Sequence, residues 1–272
     1  METILLATDF SAASRNAGHY AAEMALAIHA DLLLLNVFEL PVTYYELPVA
    51  VNPVEMSKSD EASLQAFKKE LEEKTGGKVK ISTEVRMGSF FDELKSVCEL
   101  IKPYAVIMGS QGTTAADRLL FGGHTVNAMK HLNWPLITVP AGVQFSSVKK
   151  ICLACDLHNV LNTIPLQEIR SLVRQFNAQL HILNTGRKDS FSANMVSESG
   201  WLQEMFADLR PEYHFISSRD TDQGIIEFCE KNQIDLLVVL PKRHGFIEKL
   251  VHKSHTKELV LHSLVPVMAL HQ

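Results

Sequence analysis

The sequence predicts an α/β protein of two tandem domains, each a doubly wound, five-stranded parallel sheet covered by helices on both faces. The chain has 272 residues, which fits two domains of about 100–150 residues each. Short apolar runs alternate with segments of 3.6-residue periodicity, as expected for alternating strands and helices. Strands that are apolar throughout are typical of a parallel sheet buried on both faces.

A third observation is an internal repeat. His124-Thr125 corresponds to His255-Thr256, and the same offset of 131 residues relates His131 to His262 and Pro135 to Pro266. The two halves also begin with similar sequences, since Ile4-Leu5-Leu6-Ala7-Thr8-Asp9 resembles Ile151-Cys152-Leu153-Ala154-Cys155-Asp156. A polar connector near residues 142–146 separates the halves, so we place the domains at 1–143 and 144–272.

The first half begins with the apolar run 4–7, followed by a helix at 11–28 that Ser11 or Asp9 can cap. The leucine-rich run 30–37 forms the second strand. Apolar runs predict further strands at 79–85, 104–108 and 135–139, and helical periodicity predicts helices at 58–74, 90–101 and 125–132. In the second half, the corresponding strands are predicted at 150–155, 179–184, 212–217, 235–240 and 266–270.

Composition excludes several classes of function. The net charge of −5 gives no electrostatic footprint for nucleic acid. No apolar run approaches the roughly 18 residues needed to span a bilayer, and no signal peptide opens the chain, so we expect a cytoplasmic protein without membrane contact. Cys152 and Cys155 have metal-ligand spacing but point to opposite faces of a strand. We therefore expect reduced, structural cysteines and no metal site.

The most informative motif follows the fourth strand. Gly109 and Gly112 are followed, nine residues later, by Gly122 and Gly123, and then by the predicted helix. Glycines let backbone N–H groups approach a ligand, and a helix N-terminus adds free donors and a favourable dipole. Two interpretations are open, a phosphate-binding loop and a tight connection from strand to helix. The spacing matches neither the P-loop nor the dinucleotide fingerprint.

This spacing resembles the G-x2-G-x9-G-[ST] signature of the universal stress protein family, whose ATP-binding members wrap the loop around the phosphates. The resemblance covers essentially the whole chain and implies a Rossmann-like fold of the adenine nucleotide alpha hydrolase-like type. It implies a cofactor, ATP or AMP/ADP, with or without Mg²⁺. The sequence departs from the signature because Gly123 stands where the family has Ser or Thr. Thr125 is the alternative source of a hydroxyl.

The resemblance also assigns residues at the ends of the other strands. Asp9, next to Thr8, matches the acidic residue near the adenosine, although it can also serve as a helix cap. Val37 and Met108 match positions that meet the adenine, although both also fit a plain apolar core. The full set of predicted nucleotide-binding residues is Thr8, Asp9, Val37, Met108, Gly109, Gly112, Gly122, Gly123, His124 and Thr125.

The second half lacks the motif. By the 131-residue offset, the four glycines correspond to Leu240, Arg243, Lys253 and Ser254. Side chains then occupy the space where backbone would meet phosphate, so we expect a degenerate half that acts as a structural partner. His252 and His255 have no carboxylate or cysteine at ligand spacing, and we predict no metal there.

The additional residues of the first half fall largely in 38–56. Prolines at positions 41, 48 and 53 predict that this segment is not helical. It leaves the carboxyl end of the second strand, and it is either a lid over the site or an interface patch.

No hydrolase motif or metalloprotease motif is present. The sequence therefore predicts a nucleotide-binding stress or signalling protein with, at most, weak ATP hydrolysis. The alternatives are a stress protein that acts through protein contacts without nucleotide and a slow ATPase. In the resembling family, subunits pair through their last strands. We thus expect the strands near 135–139 and 266–270 to pair antiparallel in an intramolecular pseudo-dimer, and a homodimer of whole chains stays open.

Overall fold

The computed structural model describes residues 2–39, 53–110, 115–184, 193–216, 218, 220–241 and 255–271. The elements of the first half are β1 (Thr3–Ala7), α1 (Ala12–Ile28), β2 (Asp31–Phe38), α2 (Pro53–Lys74), β3 (Ile81–Met87), α3 (Phe90–Ile101), β4 (Ala105–Gly109), α4 (Ala115–His131) and β5 (Leu136–Val139). Those of the second half are β6 (Lys150–Cys155), α5 (Val160–Thr163), α6 (Leu166–Phe176), β7 (Gln179–Asn184), α7 (Ala193–Met205), a 3-10 turn (Ala207–Leu209), β8 (Glu212–Phe215), α8 (Thr221–Asn232), β9 (Leu236–Val239), α9 (His255–His262) and β10 (Val267–Ala269). The predicted α/β class is confirmed.

The ten strands form one continuous sheet in the order β3-β2-β1-β4-β5-β10-β9-β6-β7-β8. Strands are parallel within each half, and the halves join where β5 and β10 pair antiparallel. Thr138 lies opposite Val267 in this junction, and its hydroxyl donates to the Val267 carbonyl at 3.3 Å. The antiparallel pairing expected for the two last strands is therefore present within one chain.

Helices cover both faces of the sheet and bury two apolar layers. One layer joins β-strand residues to α1, α2, α6 and α7, and the other joins them to α3, α4, α8 and α9. Each layer runs through both halves, and α4 contacts α9 across the junction. Cys152 and Cys155 lie in different layers, as the alternation of a strand requires. In the described part of the chain, every helix is too short or too polar to cross a bilayer.

Two helices begin earlier than predicted. The helix expected at 125–132 begins at Ala115, because Ala115-Ala116-Asp117-Arg118-Leu119-Leu120 is rich in good helix formers. Gly122 and Gly123 cost about 1 kcal/mol each inside a helix and do not stop it. Helix α2 begins at Pro53 rather than at residue 58. Proline is favourable in the first helical turn, where its missing N–H is not needed, so the expectation that residues 53–56 are not helical is wrong.

Strand β3 also differs from its prediction, because it spans Ile81–Met87 rather than 79–85. Its pairing with β2 sets these bounds, since the register runs from Leu32 opposite Ile81 to Phe38 opposite Met87. Every described strand end, those of β3 included, lies within two residues of its prediction.

The order of the strands gives each half a topological switch point. In the first half, β1 lies between β2 and β4, where the direction of strand succession reverses. Ligands of doubly wound sheets bind beyond the carboxyl ends of the strands at such a point. Residues that follow β1, β2 and β4 are therefore brought together.

The β5–β10 junction predicts the behaviour of the first half in isolation. Expressed alone, residues 1–143 expose the edge of β5, with its unpaired N–H and C=O groups, and the apolar surface beside it. We expect a homodimer or an aggregate, measured as mass by light scattering over a range of concentrations. A soluble monomer that unfolds cooperatively would contradict this expectation.

Candidate functional site

A crevice opens at the carboxyl ends of β1, β2 and β4. It is partly open to solvent. Its lining consists of Ala7, Thr8, Asp9, Ser11, Ala13, Ser14, Val37, Glu39, Phe90, Met108, Gly109, His124 and Thr125. Seven of the predicted residues are therefore together in one place, namely Thr8, Asp9, Val37, Met108, Gly109, His124 and Thr125.

The floor of the crevice is a hydrogen-bonded turn that follows β1. The buried Thr8 hydroxyl donates to Ser14 Oγ at 3.0 Å and accepts from the Phe10 N–H at 3.1 Å. The amide of the buried Asn36, in β2, donates to the Thr8 carbonyl at 2.9 Å. These bonds hold Phe10 in the left-handed region, with φ of 63°, which is uncommon for a residue other than glycine. The backbone beside the crevice is therefore held in one shape.

Asp9 lies exposed at the rim. Its Oδ1 accepts from the Ser11 N–H at 3.0 Å, and Ser11 in turn caps α1 by accepting from the Ser14 N–H at 3.2 Å. The cap of the helix is thus Ser11, and Asp9 shapes the turn before it. The exposed carboxylate is placed where a ligand in the crevice can reach it.

Gly109 is required by close packing. A Cβ at this position would lie 2.8 Å from the Ala13 carbonyl carbon and 2.9 Å from its oxygen, at the start of α1. Backbone atoms cannot move aside as a flexible side chain can. Glycine here lets the end of β4 pass directly beside the first turn of α1.

Residues from several elements of the fold meet in the opposite wall of the crevice. The buried Thr125 of α4 donates from its hydroxyl to the Gly109 carbonyl at 3.2 Å. The exposed His124 ring packs edge-on against Phe90, with centroids 5.0 Å apart. The Phe90 N–H donates to Glu39 Oε1 at 3.0 Å, so a carboxylate lies at the N-terminus of α3, where the helix dipole favours it.

Glu39 and Phe90 were missed by sequence reasoning. Each comes within three residues of the carboxyl end of a strand, Glu39 after β2 and Phe90 after β3. That position is a signal that could have found them, because the carboxyl ends of parallel strands meet at one edge of the sheet.

Two apolar side chains form the rest of the lining. Met108 is 6% exposed and Val37 is half-buried, and both pack with the layer that contains α3 and α4. Both residues therefore belong to the core and also line the crevice.

The glycine motif differs from its prediction. Gly122 and Gly123 lie inside α4 rather than in a loop at its N-terminus, and N–H groups beyond the first helical turn bond within the helix. A Cβ at Gly123 would meet open space. Gly112 lies outside the described residues, so its assignment to the site, like those of Gly122 and Gly123, stays a prediction.

Two other expectations fall mainly outside the described residues. In the second half, β9 leads to Leu240 and Pro241, but 242–254, with Arg243, Lys253 and Ser254, are not described. The segment 40–52, proposed as a lid or an interface, is likewise not described.

Comparison with known proteins places the chain in a family. The model of the universal stress protein family matches residues 1–140 and again residues 148–271. The chain belongs to the universal stress protein family. The boundary between residues 143 and 144 falls between the two matches and stays a prediction. A comparison with curated proteins gives no match.

Solved structures show the same fold. A universal stress protein from Archaeoglobus fulgidus DSM 4304 is 18% identical, with a TM-score of 0.76, and the match covers 99% of this chain and 98% of that one. A putative universal stress protein from Pseudomonas aeruginosa UCBPP-PA14 is 12% identical, with a TM-score of 0.65, over 100% of this chain and 93% of that one. A functionally unknown protein from Pseudomonas aeruginosa PAO1 is 11% identical, with a TM-score of 0.65, over 100% of this chain and 92% of that one. At these identities the likeness shows the fold alone.

The environments of Gly109 and Gly123 predict opposite effects of one substitution. Gly109→Ala should lower the free energy of unfolding by about 1–3 kcal/mol, the usual cost of forcing an atom into a packed site. Gly123→Ala is the matched control, and we expect it to raise stability by up to about 1 kcal/mol because alanine favours a helix. Urea unfolding measures both. Equal effects of the two substitutions would contradict the packing described for Gly109.

Proposed function

We propose that the crevice of the first half binds an adenine nucleotide, ATP or AMP/ADP, with or without Mg²⁺, as part of a stress-response or signalling role. The observation that carries the proposal is the convergence of Thr8, Asp9, Val37, Met108 and Gly109 on one crevice. The membership of the family supports it.

The chemistry of the lining suits a nucleoside. Val37 and Met108 offer an apolar surface for a base, and the exposed Asp9 carboxylate can accept hydrogen bonds from ribose hydroxyl groups. Thr8 donates to Ser14, which donates in turn to the Ser11 carbonyl, and these bonds keep the floor rigid. A site that is already formed loses little free energy to ordering when its ligand binds.

We propose that the second half has a structural role and that each chain therefore binds one nucleotide. Support comes from the sequence, which retains none of the four glycines there, and from the sheet, in which β10 covers the edge of β5. The whole unit, a pseudo-dimer of the two halves, is then the functional form.

The proposed role is binding rather than catalysis. The sequence contains no recognised motif that would activate water for attack on a phosphate. The competing candidate, a stress protein without nucleotide, has one specific observation in its favour, the loss of the signature hydroxyl at Gly123. Mass spectrometry of small molecules retained by the purified protein separates the two candidates.

The site can be tested by substituting, in turn, two aspartates at corresponding positions of the two halves and measuring the affinity for nucleotide. Asp9→Asn keeps the oxygen that accepts from Ser11 but removes the charge. We expect it to weaken ATP binding roughly tenfold or more, since hydrogen bonds to charged groups contribute about 1.5–3 kcal/mol. Asp156→Asn, at the corresponding exposed position after β6, should leave the affinity unchanged. Calorimetry should give one site per chain with a dissociation constant in the micromolar range or weaker.

Three outcomes would count against this assignment. They are two equivalent sites per chain, equal effects of the two substitutions, and no binding of ATP, ADP or AMP at millimolar concentration.

Hydrolysis is a separate test. Phosphate release from ATP by the purified chain should stay near the background rate, because binding without an activated water leaves the barrier high. A rate of phosphate release clearly above background, abolished by Asp9→Asn, would instead identify the protein as a slow ATPase.

A further inference from the structure

A second cluster of chemically active side chains lies far from the crevice, in the outer strands of the second half. His181 belongs to β7, and Glu212 and His214 belong to β8, the last strand of the sheet. His181 pairs in register with Glu212, and Leu183 pairs with His214. Because alternate residues share a face of a sheet, the three side chains project from the same face.

The three side chains converge at short range. His181 Nδ1 lies 3.1 Å from His214 Nε2, and Glu212 Oε2 lies 3.6 Å from the first nitrogen and 3.8 Å from the second. Tetrahedral zinc binds imidazole nitrogen and carboxylate oxygen at about 2.0–2.2 Å, so its ligand atoms are about 3.3–3.6 Å apart. The triangle formed by the three atoms therefore has nearly the size of one face of a zinc tetrahedron.

A hydrogen-bonded histidine pair accounts for only part of this arrangement. One imidazole can donate to the other across 3.1 Å, but the carboxylate oxygen is beyond ordinary hydrogen-bond distance from both nitrogens. It is nevertheless almost equidistant from them, as a third ligand would be. Among the described residues, His181 Nε2 is buried without a partner, so the polar contacts of this ring are made through Nδ1, on the side of the cluster.

The surroundings hold the rings in place and leave a route for an ion. The two imidazoles stack with centroids 5.3 Å apart and planes 23° apart, and the His214 ring contacts Phe228 of α8 at 4.8 Å. His181 is buried, whereas the Glu212 side chain is 58% exposed.

Lys150, on the neighbouring strand β6, is the nearby positive charge that opposes a cation here. Its Nζ donates to the Asn232 carbonyl at 2.9 Å, at the end of α8. The ammonium group is therefore held by a helix C-terminus, where the dipole favours a positive charge.

We propose that His181, Glu212 and His214 form a binding site for a divalent transition metal, best suited to zinc, with a fourth position open to solvent. Imidazole and carboxylate are ordinary zinc ligands, and three protein ligands with one exchangeable position is a common arrangement. The ion links β7 to β8 and so fastens the outer edge of the sheet.

The test uses the untagged full-length chain, stripped with a chelator and titrated with Zn²⁺ by calorimetry. We expect one zinc per chain at this site. Glu212→Gln, a change at an exposed side chain, should weaken binding about tenfold or more, and His214→Gln should abolish it. Co²⁺ in place of Zn²⁺ should give the intense visible absorption of a tetrahedral site, and His214→Gln should remove it. Zinc should raise the melting temperature of the wild type but not of His214→Gln.

Glu258→Gln provides the matched control, because Glu258 lies 3.4 Å from His262 in α9 without belonging to the proposed site. We expect zinc affinity to be unchanged in this variant. The proposal is overturned if the stripped chain binds no zinc, or if zinc affinity and the cobalt spectrum are the same in the wild type, Glu212→Gln and His214→Gln.

Discussion

The antiparallel pairing of β5 with β10 is the constraint on which the rest of the structure depends. Each of these strands would otherwise be an edge with unpaired backbone groups and apolar side chains beside it. Their pairing makes ten strands one sheet and lets each apolar layer pass from one half into the other. The contact between α4 and α9 follows from the same junction. Because α4 also supplies one wall of the crevice, the site depends on a strand of the other half.

Within the first half, the crevice results from a backbone contact. Gly109 lets β4 pass beside the start of α1, and the same residue offers its carbonyl to Thr125. The turn after β1 is held from inside by Thr8 and from the neighbouring strand by Asn36. The lining is thus fixed by packing and hydrogen bonds of the protein alone. A ligand would meet a surface that is already arranged.

Much of the fold could be predicted from the sequence, because apolar runs and repeats report directly on buried strands. The start of α4 could not be predicted, because Gly122 and Gly123 suggested a loop, whereas residues 115–120 favour a helix. Seven predicted site residues lie in the crevice because strand ends converge in a parallel sheet. Glu39 lies at the start of a segment rich in proline, and helical periodicity marks Phe90 only as the first residue of a helix.

The cluster of His181, Glu212 and His214 shows a different limit of prediction. His181 lies more than 30 positions before Glu212 and His214 in the chain. The contact among the three depends on the register of β7 against β8. Periodicity reveals which residues belong to strands, but it does not reveal which residues lie opposite each other.

The single sheet has a consequence for how the molecule opens. Amides of β5 and β10 protect each other from hydrogen exchange, so neither half can open locally at this seam without exposing the other. A ligand bound by the first half would therefore slow exchange in β10 and β9 as well, and the second half would sense occupancy through the free energy of opening.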